Sequence, residues 1–184
     1  MAGPNFITPA GLLRIQRELE WLQKRERPRI AREVGHAASL GDRSENAEYI
    51  YGKKRLREIE RRMHHLMHRL DNVHVIDPAK QRGPRVVFGA TVTIADEKGE
   101  EKTWTIYGED EVDTDHGVLS LMSPLARALI GKSEGDTVKF LAPGGTREVE
   151  IVAVRYDPQP EEPNPFGDSD EPEAGEGSAD RDDE

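Results

Sequence analysis

Two apolar runs with one shared spacing decide most of what this chain can become. Leu12, Ile15, Leu19 and Leu22 step by 3, 4 and 3, and Leu56, Ile59, Met63, Leu66, Leu70 and Val73 step by 3, 4, 3, 4 and 3. Apolar residues recurring every 3.5 positions make the seam of paired helices. Read backwards, the second run pairs 12 with 73, 15 with 70, 19 with 66 and 22 with 63, all about one midpoint near position 42.5. Two antiparallel arms are predicted, with the turn in Leu40-Gly41-Asp42-Arg43-Ser44-Glu45. Gly41 suits a helix exit there, and Asp42 or Ser44 suits an N-cap. Thr8 followed by Pro9 at the first helical position starts the first arm. Each arm then has about 30 residues and a length of about 45 Å. The seam lapses between Leu22 and Ile30, where Pro28 predicts a kink because its ring displaces a helical hydrogen bond. A protruding arm with a single seam has little core of its own, so its base needs another domain as anchor.

The period changes after residues 75–85, which read as a linker rich in turn formers. Val86-Val87-Phe88, Thr91–Ile94, Thr103–Tyr107, Val118–Leu121, Thr137–Phe140 and Glu148–Val154 have the alternation of strands separated by Gly- and Asp-bearing turns. Ser123-Pro124 through Gly131 is a short helix with Ser as N-cap, Pro at its first position and Gly at its end. The expected fold class is α+β in two domains: an antiparallel coiled-coil hairpin over 1–79 with its tip at about 40–46, an antiparallel sheet with one short helix over 80–156, and a tail over 157–184. The tail holds twelve carboxylates against Arg181, with Pro, Gly and Ser between them, a composition that predicts disorder.

The net charge of −10 is therefore a property of the tail. Residues 1–80 carry sixteen Lys and Arg against eleven acids, and 81–156 carry nine against thirteen. A basic segment on an acidic chain points to a local phosphate-facing surface rather than general nucleic-acid affinity. The absence of cysteine removes disulfides and thiol chemistry. The start has neither a basic n-region nor a continuous apolar stretch, and no run approaches the roughly 18 apolar residues of a membrane span, so the expectation is a cytoplasmic protein with no membrane partner.

Two clusters in the hairpin carry candidate chemistry. Asp42-x-x-Glu45 reads as a capping box, Asp42 accepting from the Glu45 backbone N–H. The same spacing turns two carboxylates to one side of a helix, with Glu48 extending the row, as a hard cation such as magnesium requires. Such a pair is half a metal site, suited to donation to a partner. Behind it, Lys53, Lys54, Arg55, Arg57, Arg61 and Arg62 crowd the second arm, with Arg29 and Arg32 at the same level. This belt lies about 14 residues, or roughly 20 Å, from the turn. It is either a solvated face laced with ion pairs or a track for the phosphates of single-stranded RNA or DNA. His64, His65, His68 and His74 fall mainly at solvent-facing heptad positions and read as surface residues. The second domain has no Ser-His-Asp set, glycine-rich phosphate loop or paired metal ligands, so docking is its expected role.

The tip run Ala38-Ser39-Leu40-Gly41-Asp42-Arg43-Ser44-Glu45-Asn46-Ala47-Glu48-Tyr49, followed by Lys53-Lys54-Arg55-Leu56-Arg57-Glu58-Ile59, closely resembles the GreA/GreB family of bacterial transcription elongation factors. The continuous basic run is similar to the GreB branch, and the resemblance covers residues 7–156. It implies an FKBP-like second domain that docks at the mouth of the RNA polymerase secondary channel, and a hairpin that reaches down that channel. It implies that Asp42 and Glu45 help hold a second magnesium ion, shared with the polymerase and not bound tightly alone, for two-metal cleavage of the extruded RNA 3′ segment in backtracked complexes. The protein would activate the polymerase rather than be an enzyme itself. Lys53, Lys54, Arg55, Arg57 and Arg61 would hold the nascent RNA 3′ end, Ser123 and Pro124 would contact polymerase, and Asn46 and Tyr49 would shape the tip. The expected state is a monomer. Other readings are a channel-occupying inhibitor, an FKBP-like prolyl isomerase using Phe88, Trp104, Tyr107, Phe140 and Tyr156, and a homodimer zipped through the seam.

Overall fold

The N-terminal part, through Asp71, is built on the predicted seam. A computed structural model describes residues 4–39, 46–159 and 163–167. Strand β1 (Asn5–Ile7) leads into helix α1 (Pro9–Trp21), whose N-cap Thr8 accepts from the Gly11 N–H. A π-helical turn (Leu22–Glu26) joins α1 to α2 (Arg27–Ser39), and α3 (Ala47–Asp71) returns alongside. Ile15, Leu22, Ile30, Ile59 and Leu66 are buried, with Leu12, Leu19, Val34, Leu56, Met63 and Leu70 packed around them. Cross-arm contacts join Glu18 to Arg62, Arg27 to Glu60, Glu26 to Arg55 and Ala37 to Asn46. Their midpoints fall between 40 and 43.5, which supports the antiparallel register. The seam is thus satisfied within one chain.

The lapse before Ile30 takes the form of a π-helical turn. Continuing the 3-4 rhythm from Leu22 calls for seam positions 26, 29, 33 and 36, whereas the apolar residues stand at 30, 34 and 37. One residue too many is present. The π turn absorbs it: Arg27 N–H reaches back five residues to the Leu22 carbonyl, so Ile30, Val34 and Ala37 return to the seam. The wider turn also accommodates Pro28, which has no N–H and whose ring crowds the carbonyl four residues earlier in an α-helix. Glu26 stands at the displaced seam position, only 6% exposed. Its carboxylate accepts from Arg29 at 2.8 and 3.1 Å and from Arg55 of the opposite arm at 3.4 Å. The hydrogen bond to Glu26 raises the Arg29 guanidinium above its ordinary pKa, against the opposing effect of desolvation.

Several expectations are corrected. Helix α3 begins at Ala47, with Asn46 as extended N-cap accepting from Glu48 and Tyr49 N–H, so neither Asp42 nor Ser44 caps it. Asp42, Glu45 and the turn 40–45 lie outside the described residues. Helix α3 stops at Asp71, and Val73 and His74, read as helical, form β2 (Val73–Val75). β2 pairs in parallel with β1, giving the hairpin base a small sheet of its own and pulling Val75 out of the expected linker.

The second unit is a curled five-stranded sheet in the order β5-β4-β3-β7-β6: β3 (Thr91–Asp96), β4 (Glu101–Tyr107), β5 (Val118–Ser120), β6 (Thr137–Ala142) and β7 (Gly145–Arg155). Neighbours are antiparallel except β4 and β5, which run parallel, a departure from the expected pattern. Val92, Ile94, Ile106, Val138, Val149 and Ile151 alternate inward and are covered by α4 (Pro124–Leu129) through Ala126 and Leu129. As predicted, α4 is capped by Ser123 and opened by Pro124, and Gly131 beyond it takes φ +83°. Val86-Val87-Phe88 adds no strand to the sheet: Val86 is buried in the core, bonded through its backbone to Gly131 and Lys132. The tail is disordered in expectation, yet residues 157–159 and 163–167 are described, and the Phe166 ring lies 5.4 Å from Trp21 of α1.

Ile59 is 2% exposed at the centre of the seam. Ile59→Ala is expected to cost about 2–5 kcal/mol in urea unfolding. Glu26→Leu, which restores an apolar seam residue, should match or exceed wild-type stability, whereas Glu26→Ala, which leaves a cavity and reduces Arg29 and Arg55 to their pairings with Glu33 and Glu58, should fall below it. A Glu26→Leu protein less stable than Glu26→Ala would contradict this account of the π turn.

Candidate nucleic-acid interface

The five basic residues singled out from sequence all lie on α3, but they do not stand in equivalent surroundings. Lys53, Lys54, Arg57 and Arg61 are exposed. Lys53 Nζ sits 5.5 Å from the centre of the Tyr49 ring, a cation–π contact one turn from the start of the helix. Arg57 and Arg61 lie on one face, and Arg61 Nε donates to the Arg57 carbonyl at 3.3 Å. Arg55 is different. It is half-buried and shared between Glu26 and Glu58, at 3.4 and 3.6 Å. Arg62, next in the same run, is committed to Glu18 through two bonds of 2.6 and 2.8 Å, and this pairing raises its pKa.

The run of cations therefore divides by helical phase. Positions 55 and 62 are seven apart and face the partner arm, where acids meet them, whereas 54, 57 and 61 face outward. His64, His65 and His68 continue the outward face beyond Arg57, Glu60 and Arg61 as the lining of one shallow depression. His74 is apart from them, in β2, with its ring 5.8 Å from Phe6. No group of three or more His, Asp or Glu side chains able to hold a metal ion occurs among the described residues. Of the acidic row at the tip only Glu48 is described, exposed in the first turn of α3.

Asn46 does more than the shape role expected of it. Besides capping α3, its side-chain N–H₂ donates to the Ala37 carbonyl of α2 at 2.9 Å, joining the two arms on either side of the turn. Beyond it, Ile50 and Tyr51 are exposed apolar residues near the start of α3. At the other candidate surface, the Ser123 hydroxyl is occupied as the α4 cap, accepting from Ala126 N–H at 3.2 Å. Pro124 and Met122 stand exposed beside it, with Arg127 donating to the Met122 sulfur at 3.8 Å. The aromatic residues of the second unit do not converge. Phe88 stands between Phe6 of the hairpin base and Tyr107, while Trp104 and Phe140 pack at the sheet core, and the Tyr156 hydroxyl accepts from Val87 N–H.

Two buried acids escaped the reading of the sequence. Glu26 carries a detectable signal, since it falls on the seam four residues after Leu22. Glu111 carries none: it lies in a short acidic run between strands and is buried only because it meets Thr8 of the hairpin, more than one hundred residues earlier.

Among the described residues no helix is long and apolar enough to cross a membrane. Comparison with known proteins matches both parts of the chain. The family described as transcription elongation factor, N-terminal, covers residues 5–75, and that described as transcription elongation factor, GreA/GreB, C-term, covers 80–156. Transcription elongation factor GreB of Yersinia pestis is 45% identical over 166 residues, spanning 90% of this chain and 96% of that protein. Transcription elongation factor GreA of Anaeromyxobacter is 47% identical over 151 residues, spanning 82% and 91%. A solved structure of GreA factor homolog 1 from Thermus thermophilus aligns over 83% of this chain and 99% of its own, at 23% identity and a TM-score of 0.39. With both halves matched and nearly half of all aligned residues shared with full-length relatives, the chain belongs to the GreA/GreB family of transcription elongation factors.

Proposed function

We propose that the protein is a transcript-cleavage factor, which enters the secondary channel of RNA polymerase and stimulates cleavage of the extruded RNA 3′ segment in backtracked complexes. The observation that carries this reading is the acidic pair Asp42 and Glu45, which falls in sequence between the two arms of a helical hairpin in a chain of this family. Asp42 and Glu45 supply hard oxygen ligands at the position where only half a site is needed, and a magnesium ion shared with polymerase would supply Lewis acidity and an activated water there. The protein is then an activator of the polymerase's own chemistry and not an enzyme by itself.

The rest of the chain serves delivery. Lys54, Arg57 and Arg61, outward-facing and spaced at 3 and 4 residues, follow the phosphates of the extruded RNA, with Lys53 beside them over Tyr49. Arg55 has a structural share, tying the arms through Glu26. The sheet domain docks on polymerase through the α4 edge, where Pro124 and Met122 are exposed and Ser123 holds the backbone that presents them.

RNA 3′-end cleavage in a purified backtracked polymerase complex with magnesium tests the reading. Asp42→Asn with Glu45→Gln should abolish stimulation and leave polymerase binding and melting nearly unchanged, because the α3 cap belongs to Asn46. A wild-type protein that binds polymerase without stimulating cleavage would instead mark a channel-occupying inhibitor. For the basic face, Arg57→Gln with Arg61→Gln should reduce the salt dependence of RNA binding by roughly 1.4 in logarithmic slope, about 0.7 for each phosphate of a single strand that is no longer neutralised. Arg55→Gln should lower the melting temperature and leave that slope almost unchanged. An equal slope change in both variants would remove the division between outward and seam-facing cations.

A further inference from the structure

A long arm delivers its tip accurately only if its base is held at a fixed angle. At about 45 Å, a tilt of about 10° at the base displaces the far end by roughly 8 Å, whereas misplacement of a reacting group by about 1 Å can cost about 100-fold in rate. The hairpin base therefore has to be locked to the domain that docks. Among the described residues the chain joins the two through the segment after β2, and Gln159 and Phe166 beyond β7 reach back to Thr8 and Trp21, so the angle is held by side-chain contacts at the base.

We infer that the acidic turn Glu109–Glu111, on the sheet domain, is a latch that aims the hairpin, and that Glu111 is a positioning residue for the tip carboxylates. The inference rests on the cleavage reading above. The acids of the turn grip both arms at the base: Glu111 holds the start of α1, and Asp110 and Glu109 share Arg69 of α3. Glu111 is 7% exposed, and its carboxylate accepts from Thr8 N–H at 3.0 Å and from the Thr8 hydroxyl. That hydroxyl also caps α1 by accepting from Gly11 N–H at 3.0 Å, and it accepts from Gln159 at 2.8 Å. Asp110 accepts from Arg69 of α3 at 2.9 Å and from Asn5 of β1 at 3.1 Å, and its carbonyl accepts from Arg14 of α1 at 2.7 Å. Glu109 pairs with Arg69 at 3.3 Å.

Two glycines let the surfaces close without a gap. A Cβ at Gly11 would overlap the Glu111 carboxyl group, and one at Gly108 would overlap the Phe6 carbonyl oxygen. The buried carboxylate stands over the first turn of α1, where the helix dipole favours negative charge. This arrangement fixes direction as well as contact, because a carboxylate accepting from both the N–H and the hydroxyl of one residue has little freedom of rotation.

The absence of cysteine makes the test direct. Spin labels on cysteines placed at Ala31 of α2 and Thr137 of β6, both exposed, report the angle between hairpin and sheet. Wild type should give one narrow distance distribution. Glu111→Ala and Gly11→Ala should each broaden it, and combining them should narrow it again, since the added methyl enters the space that the carboxylate leaves. In the backtracked complex, Glu111→Ala should lower the cleavage rate at saturating factor by about tenfold or more with a smaller change in the concentration for half effect, and Glu111→Gln, which keeps one acceptor, should recover most of it. Gly11→Ala places a better helix former in α1, so it separates opening of the latch from unfolding. A distribution as narrow in folded Glu111→Ala and Gly11→Ala as in wild type would overturn the latch. A broadened distribution with an unchanged saturated rate would overturn the positioning role. If the wild-type protein fails to stimulate cleavage, the functional reading and the positioning role fail together, and the distances still decide whether the latch exists.

Discussion

The apolar seam between two antiparallel arms is the constraint on which the other features of the hairpin depend. Burying a Leu or Ile side chain contributes about 1.5–3 kcal/mol, and the seam does so repeatedly along its length. At the base, where the arms end and the sheet domain begins, the apolar packing narrows to Ile7 and to Phe6 against Phe88. There the chain changes device: a short parallel ladder between β1 and β2, a capped helix start at Thr8, and a cluster in which acids of the sheet domain meet Arg69. Polar contacts specify direction where apolar packing specifies only proximity. The arm is accordingly apolar along most of its seam, Glu26 excepted, and adds polar ties at both ends, with Asn46 bridging to Ala37 at one and Thr8 at the other.

Much of the fold was legible because it is set by short-range chemistry. Thr8-Pro9 and Ser123-Pro124 announce helix starts through a hydroxyl acceptor and a preset backbone angle, and both helices begin there. The 3-4 rhythm gave the register. What was not legible depends on partners distant in sequence. β1 and β2 are three residues each and exist only because the two ends of the hairpin meet. Val86-Val87-Phe88 has strand composition, but its backbone is taken by the Gly131–Lys132 turn. β5 runs parallel to β4 because its connection passes through two single-turn helices rather than a tight hairpin.

The candidate site was legible as composition and less so as geometry. The basic run names the right helix, but only helical phase and the acids opposite separate Arg55 and Arg62 from Lys54, Arg57 and Arg61. A capping box at Asp42 and Glu45 fits the spacing, yet Asn46 is the better cap because its amide satisfies α3 and α2 at once. Ser123, read both as the cap of its own helix and as a contact residue, spends its hydroxyl on the cap. Glu111 was out of reach, since its burial is created by the packing of two domains.

The π-helical turn has a consequence for how such an arm can vary in length. A single inserted residue in an α-helix rotates everything beyond it by about 100°, which would swing the far half of the first arm off its partner. The five-residue turn takes up that rotation locally, so Ile30, Val34 and Ala37 keep the facing set by Leu22 while Pro28 is accommodated in the same place. The hairpin can thus be read as two stacked segments with an adjustable coupling between them, in which reach and facing need not change together.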